Sequence, residues 1–415
     1  MKKIFFSSLL LFSLLNAATL TLQESIDATL QNYPDVKSLQ MKMKQSKLSH
    51  RSATADYLPQ VNLNGQYNFT QTYVFPVNGA FHTQDDAGWN AGVNLKQKVW
   101  DFSKTTSKIA ATQKDEDISK LSLMDLKALL AFKVKSFYKL IVVQREAVNV
   151  RKKDLEAKKA YYAQAEALVK QGLKTRADAS RFLSAVYNAE DNLAIAQASF
   201  DKARNSLSLY MDRKIDANVT LENSVLQESF NANTDVEKEV LSSNYTLKIE
   251  NKNIEKNILL HKSVKAEHYG SIDAVASYNH FDTLNTYDAT NAGVVVNIPL
   301  YSGGRVSAEA QKVEISAQIS KEQKRSRELA LKEELQNLLL DIKRYNKTIS
   351  AKKAQLDSAQ ETKKVLDGRY KEGLATYIEV LDATTQVLNA KLSLLEAYYL
   401  RALSIDRIQY LKGKI

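Results

Sequence analysis

The sequence predicts a mainly α chain with a membrane β-barrel portion, built from a duplicated helix-strand-strand-helix-helix unit, and three observations predict it. Shifted by 201 residues, the 415-residue chain nearly matches itself: Asn90-Ala91-Gly92-Val93 returns as Asn291-Ala292-Gly293-Val294, Gly172-Leu173 as Gly373-Leu374, and Asn188-Ala189 as Asn389-Ala390. A register that holds for about a hundred residues marks one duplicated supersecondary unit. Only 12 glycines and 4 prolines are available for turns, few for two or three ordinary domains. Long runs with an apolar residue at every seventh position flank short runs in which apolar residues alternate, the periods of coiled-coil helix and half-buried strand.

The first 17 residues read as a secretory signal. Lys2 and Lys3 precede an apolar run from Ile4 to Leu15, and small residues offer cleavage after Ala17 or Ala18. The first repeat then spans 18–213. It opens on Thr21-Leu22-Gln23-Glu24, a capping box for a helix that runs toward Tyr57, is interrupted at Asn32-Tyr33-Pro34 and stops at Pro59. Beyond Pro59 the period becomes two. Val61, Leu63, Gly65, Tyr67 and Phe69 alternate with Asn62, Asn64, Gln66 and Asn68, which predicts a strand over about 60–73. A polar loop holding Asn78-Gly79 and Asp85-Asp86 leads to a second strand over about 90–100, where Ala91, Val93, Leu95 and Val99 oppose Asn90, Asn94, Lys96 and Lys98. Each run has about the 9 to 11 residues that a tilted strand needs to cross a bilayer. Trp89 and Trp100 bracket the second, at the spacing of two interfacial aromatic girdles.

From Ser103 to about Leu168 nothing breaks the helical pattern, and Val134, Ile141, Val148, Leu155, Tyr162 and Val169 form the heptad seam. At 1.5 Å per residue such a helix reaches about 100 Å, longer than a compact domain. Lys170-Gln171-Gly172-Leu173-Lys174-Thr175 supplies a glycine to end it and a threonine to cap its return. Residues 214–234 show no strong period and read as a linker or equatorial segment. The second repeat, 235–415, follows the same plan, with strands over about 271–280 and 291–301, a seam at Leu335, Ile342, Ile349 and Leu356, and a turn at Gly373-Leu374-Ala375-Thr376.

Composition excludes several functions. Net charge is +11, but Lys and Arg are mixed with Asp and Glu along every helix, the pattern of solvated faces; with no recognition motif, no nucleic-acid partner is expected. No later stretch is apolar for the roughly 18 residues a membrane helix needs, so strands must make any crossing. There is no Cys, no G-x-S-x-G and no H-E-x-x-H, and the Gly368 to Gly373 spacing of a phosphate loop is followed by Leu374 instead of lysine. His261 and His268 stand seven apart, too far to share a metal without other ligands. No enzyme, cofactor or metal site is expected. Four strands are too few to close a barrel, and open sheet edges are not tolerated in lipid, so strands of further copies are required.

Particular runs point to a family. Tyr377-Ile378-Glu379-Val380-Leu381-Asp382-Ala383-Thr384-Thr385 with Leu388-Asn389-Ala390-Lys391, Asn297-Ile298-Pro299-Leu300-Tyr301-Ser302-Gly303-Gly304-Arg305, Tyr57-Leu58-Pro59-Gln60 and Leu20-Thr21-Leu22-Gln23-Glu24 together resemble the TolC-like outer-membrane efflux proteins. The resemblance implies a homotrimer in the Gram-negative outer membrane, with a 12-stranded barrel continuous with a long α-helical periplasmic tunnel. It implies an exit duct for tripartite efflux or type I secretion, whose partners are a periplasmic adaptor (membrane fusion) protein and an inner-membrane transporter. The competing reading is a periplasmic coiled-coil adaptor or scaffold without a channel. Adaptors usually show one helical hairpin with flanking β-rich modules, whereas this chain has two hairpins and two bilayer-length strand pairs.

Carried over by motif, Asp178 and Tyr370 would form a hydrogen-bonded pair that closes the aperture, and Glu379 and Asp382 would line it. Ala375 stands where the family pattern carries an arginine, so part of that closing network is absent. Thr175-Arg176-Ala177-Asp178 and Thr376-Tyr377-Ile378-Glu379 also fit capping boxes, so both roles stay open for Asp178 and Glu379. Gly172, Leu173, Gly373 and Leu374 are candidate adaptor-docking tips, against ordinary packing of a post-glycine residue on the last helical turn. Trp89, Trp100 and Tyr301 are the candidate membrane-interface aromatics, in contact with outer-membrane lipid.

Overall fold

The duplication returns in the lengths of the elements. The computed structural model describes residues 19–216, 219–222, 224–226, 230 and 235–415. The expected signal segment, 1–17, and parts of the 214–234 linker lie outside the described residues. In chain order the elements are β1 (Thr19–Leu20), α1 (Leu22–Asn32), α2 (Pro34–Ala55), β2 (Gln60–Val77), β3 (Ala80–Trp100), α3 (Lys104–Lys170), α4 (Arg176–Met211), β4 (Thr220–Leu221), α5 (Val236–Ser243), α6 (Tyr245–Lys265), β5 (Ser271–Asp282), β6 (Thr286–Asn297), α7 (Arg305–Lys371) and α8 (Tyr377–Leu411). Helices α3 and α7 are both 67 residues long, and their first residues, like those of α4 and α8, fall at the 201-residue offset. Among the described residues, no helix is long and apolar enough to cross a membrane.

The chain divides into two compact units, each drawing on both repeats. One comprises residues 38–124 and 245–329 and is centred on an antiparallel sheet of order β2-β3-β5-β6. Its registry, with Leu63 opposite Val93, Val93 opposite Tyr278 and Tyr278 opposite Thr290, places Val61, Leu63, Tyr67, Val93, Leu95, Ile272, Val294 and Val296 on one face. Asn62, Asn64, Asn90, Asn94, Lys96, Lys98 and Asp273 share the other. The outer edges of β2 and β6 pair with nothing among the described residues. Beside the sheet, helices are joined by polar contacts such as Lys114–Glu255 at 2.7 Å and Lys256–Asp115 at 3.0 Å. His261 donates from Nδ1 to the Ala310 carbonyl at 2.9 Å.

Strand limits depart from the sequence reading in three places. The loop expected around Asn78-Gly79 and Asp85-Asp86 is a two-residue turn: Asn78 and Gly79 have φ of 51° and 81°, as the tightest hairpins require, and pairing continues from Val77–Ala80 inward. The first pair of strands therefore runs Gln60–Val77 and Ala80–Trp100, longer than about 60–73 and 90–100. In the second pair, β6 starts at Thr286 instead of near 291 and ends at Asn297 instead of near 301, the end falling there because Pro299 has no N–H to give to a ladder. The third departure is a bulge between Lys98 and Trp100. By strict alternation Trp100 would share the polar face with Lys98; the extra residue, Val99, turns it to the apolar face with Trp89.

The other unit comprises residues 1–37, 125–244 and 330–415, of which the described part is helical around a core of Val134, Tyr138, Ile141, Leu207 and Met211. The parallel pair β1–β4 is tied to it by Tyr138, whose hydroxyl donates to the Leu20 carbonyl at 2.7 Å and accepts the Glu222 N–H at 3.0 Å. Lys139 and Asp406, both buried, pair at 2.7 Å between α3 and α8.

Candidate functional site

The two helical hairpins end alike. Gly172 and Gly373 have φ of 74° and 76°, the left-handed conformation glycine adopts without steric cost. Behind each, the leucine N–H reaches back over the turn, Leu173 to the Leu168 carbonyl at 2.9 Å and Leu374 to that of Arg369 at 2.8 Å, a Schellman closure. Leu173 and Leu374 remain 66% and 64% exposed. Neither covers the last turn of its own helix, which leaves two apolar side chains in solvent at the tips.

Each return helix starts in a capping box. At α4, the Thr175 N–H and hydroxyl donate to Asp178 Oδ2 at 3.1 and 2.9 Å, and the Asp178 N–H donates back to Thr175 Oγ1. At α8, the Thr376 N–H and hydroxyl donate to Glu379 Oε2 at 2.7 and 2.8 Å. The cap backbone N–H first, and the cap hydroxyl second, hold both carboxyls below their ordinary range. The expected hydrogen bond between Asp178 and Tyr370 is therefore corrected: the Asp178 carboxylate engages Thr175, and among the described residues the buried Tyr370 hydroxyl has no hydrogen-bond partner. Burial, and then the Asp178 charge, push the Tyr370 hydroxyl above its usual pKa. Asp382 is exposed and accepts from Gln386 Nε2 at 2.7 Å.

A different set of contacts joins the hairpins. Tyr161 of α3 donates to Asp367 Oδ1 of α7 at 2.5 Å, and Lys363 donates to the Tyr161 hydroxyl at 2.9 Å and to Asp367 Oδ2 at 2.5 Å. Burial lowers the Lys363 pKa, but the bonds to Asp367 and Tyr161 outweigh it and leave the ammonium above its ordinary value. Beside this clasp lies an apolar cluster of Ala165, Phe182, Tyr370, Ala375 and Val380. Phe182 of α4 stands edge-on to Tyr370 and Tyr377 at 5.9 and 6.0 Å, and Arg181 lies over the Tyr377 ring at 5.0 Å. Ala375 is buried here, at the position of the family's arginine. Heptad spacing gave no sign of Tyr161, Lys363, Asp367 or Phe182; the crowding of Tyr161, Tyr162, Tyr370 and Tyr377 near the tip glycines was the available signal.

On the sheet, Trp89 Nε1 donates to Asp282 Oδ2 at 2.8 Å, and Trp100 meets Phe102 edge-on at 6.1 Å. Tyr301 lies beyond the end of β6, exposed before α7. Among the described residues, no group of three or more His, Asp or Glu could hold a metal ion.

This pairing of a bilayer-length sheet, apolar on one face, with two long hairpins has counterparts. A model of the outer membrane efflux proteins matches residues 25–212 and 259–413. The chain belongs to the outer membrane efflux protein family. Vibrio cholerae TolC is 23% identical over 429 residues, which cover 95% of this chain and 91% of that protein. Salmonella enteritidis TolC is 28% identical over 134 residues; there the match spans 27% of the relative's length and 31% of this chain. The folds of CusC, at TM-score 0.85 and 18% identity over 95% of this chain and 92% of that one, and of Vibrio cholerae VceC, at 0.83 and 16% over 95% and 96%, are similar. As an outer membrane efflux protein, the chain sits in the Gram-negative outer membrane, with a large helical portion in the periplasm. The apolar sheet face is the one suited to hydrocarbon.

Proposed function

We propose that this protein is the exit duct of a tripartite efflux or type I secretion system, a passive homotrimeric conduit that docks to a periplasmic adaptor protein and an inner-membrane transporter. The observation that carries this reading is the four-stranded sheet with a lipid-compatible face and two unpaired edges. Each backbone group left unpaired in hydrocarbon costs several kcal/mol, and the β2 edge alone is 18 residues long. Three copies joined β2 to β6 satisfy every edge in a 12-stranded barrel whose polar face lines a water-filled channel.

Each repeat contributes one strand pair and one helical hairpin to the duct, with 214–234 joining them. The Tyr161–Lys363–Asp367 clasp and the Phe182 cluster hold the two hairpins of a chain together at rest. Asp178 and Glu379 cap helix starts, leaving Asp382 as the carboxylate available to a threefold ring that favours cations. The exposed Leu173 and Leu374 are the contacts offered to the adaptor, and Trp89 and Trp100 mark the lipid interfaces. Tyr301 follows the end of β6 at the membrane border.

The test is the mass of the purified protein in detergent, together with its conductance in a planar bilayer. A trimer that conducts is expected. A folded monomer without conductance would overturn the reading in favour of a scaffold.

A further inference from the structure

The polar face of the sheet is lined mostly by amides and small residues, and its charges are concentrated in two adjacent rows. In one row Gln60, Lys96, Val275 and Gly293 lie side by side; in the next, Lys98, Asp273 and Val295. Asp273 lies beneath both ammonium groups, 3.4 Å from Lys96 and 3.9 Å from Lys98, and also accepts from Ser271 Oγ at 3.2 Å. Its side chain is 5% exposed, against 62% for that of Lys96. Two cations thus share one carboxylate, and the carboxylate is the buried member. Solvent over this face meets net positive charge. Gly293 has nothing within 4 Å of where a Cβ would stand, which leaves open space in the Lys96 row.

We propose that this face carries a binding site for compact polyvalent anions, centred on Lys96 and Lys98. The inference rests on the trimeric duct, since that arrangement repeats the site three times around one axis. Twelve strands about 4.7 Å apart and tilted about 45° set the backbone at a radius of about 13 Å. A lysine reaches inward by about 6 Å, so the three Lys96 ammoniums stand about 12 Å apart, comparable with the Debye length of about 10 Å at 0.1 M salt. Their fields overlap at that ionic strength and are screened at 1 M, where the length is about 3 Å. Chloride feels this field weakly because it carries one charge, whereas an ion with several charges gains from every ammonium at once. The ring is opposite in sign to that of Asp382, so the duct holds two selectivity elements of contrary preference.

The probe is inorganic tripolyphosphate, added to the trimer conducting in a planar bilayer. In 0.1 M KCl it should block the current, and in 1 M KCl the block should disappear. Lys96→Gln should raise the half-blocking concentration at least about tenfold, and Asp273→Asn should lower it. A Lys96→Gln protein that is trimeric in detergent and still conducts establishes an intact barrel, and because Lys96 is exposed this variant decides the matter if Asp273→Asn does not assemble. Parent channels that conduct without block in 0.1 M KCl, or a Lys96→Gln, Lys98→Gln channel blocked like the parent, would overturn the site while leaving the duct standing. A protein that gives no conductance overturns the duct, and the site with it.

Discussion

Lys139 in α3 and Leu340 in α7 occupy the same place in the two copies of the repeat, and their environments are inverted. The lysine is 0% exposed and the leucine 64%. Lys139 is satisfied by Asp406 at 2.7 Å; Leu340 stands in solvent beside Leu339 on a groove that Phe230 also lines. The contrast extends along the helices. Met124 is the large apolar side chain left exposed on α3, against Ile315, Ile319, Leu329, Leu340 and Val365 on α7. Their strands differ in the same sense, for β3, which leads into α3, is central in the sheet and β6, which leads into α7, is an edge. Duplication copied a backbone. Position in the fold then determined which long helix is covered by its own chain and which keeps a row of apolar side chains exposed.

The largest expected effect lies inside the enclosed copy. Lys139→Met should destabilise the protein by about 3–5 kcal/mol, because it removes one member of a buried ion pair closed at 2.7 Å; the double change with Asp406→Leu should recover most of the loss. Thermal unfolding followed by circular dichroism measures both, and a single variant as stable as the parent would mean that α3 is not packed as described. Next is the exposed copy, where Leu340→Asp should leave helical content unchanged and yield monomers by light scattering. A trimer that survives this change would remove α7 from the interface.

The link between the hairpins can be weakened by Tyr161→Phe. Loss of a hydrogen bond to a charged group is worth about 1.5–3 kcal/mol, and the resting single-channel conductance should rise as the hairpins part. Unchanged conductance would assign closure to the Phe182 cluster alone.

The smallest effect tests how alike the two copies are. Asp178 and Glu379 both have depressed pKa values through their cap bonds, so the stabilisation they give is complete above the unfolded carboxylate value of about 4 and is lost as pH falls through the folded one. Asp178→Asn and Glu379→Gln should each lower the melting temperature slightly at neutral pH and match the parent in acid. A response in one copy alone would break the symmetry of the tips.

Much of this was legible in the residues because it depends on short-range rules. The 201-residue echo set equal lengths for α3 and α7, Gly172 and Gly373 ended them, and Thr175 and Thr376 restarted them, since backbone conformation and capping are decided within a few positions. Alternation from Val61 to Phe69 revealed a strand with one apolar face for the same reason. Three-dimensional packing decided the rest. The bulge at Val99 that turns Trp100 to the apolar face depends on a partner strand more than 170 residues away, and Tyr161 meets Asp367 only because two hairpins lie side by side. Lys139 looks like any surface lysine until Asp406 is brought against it, and Asp178 could be taken from Tyr370 only by seeing its carboxylate already held by Thr175. Local periodicity fixes which elements form, because it acts through neighbouring residues; which side chains end up as partners depends on distances between elements that no spacing in the chain encodes.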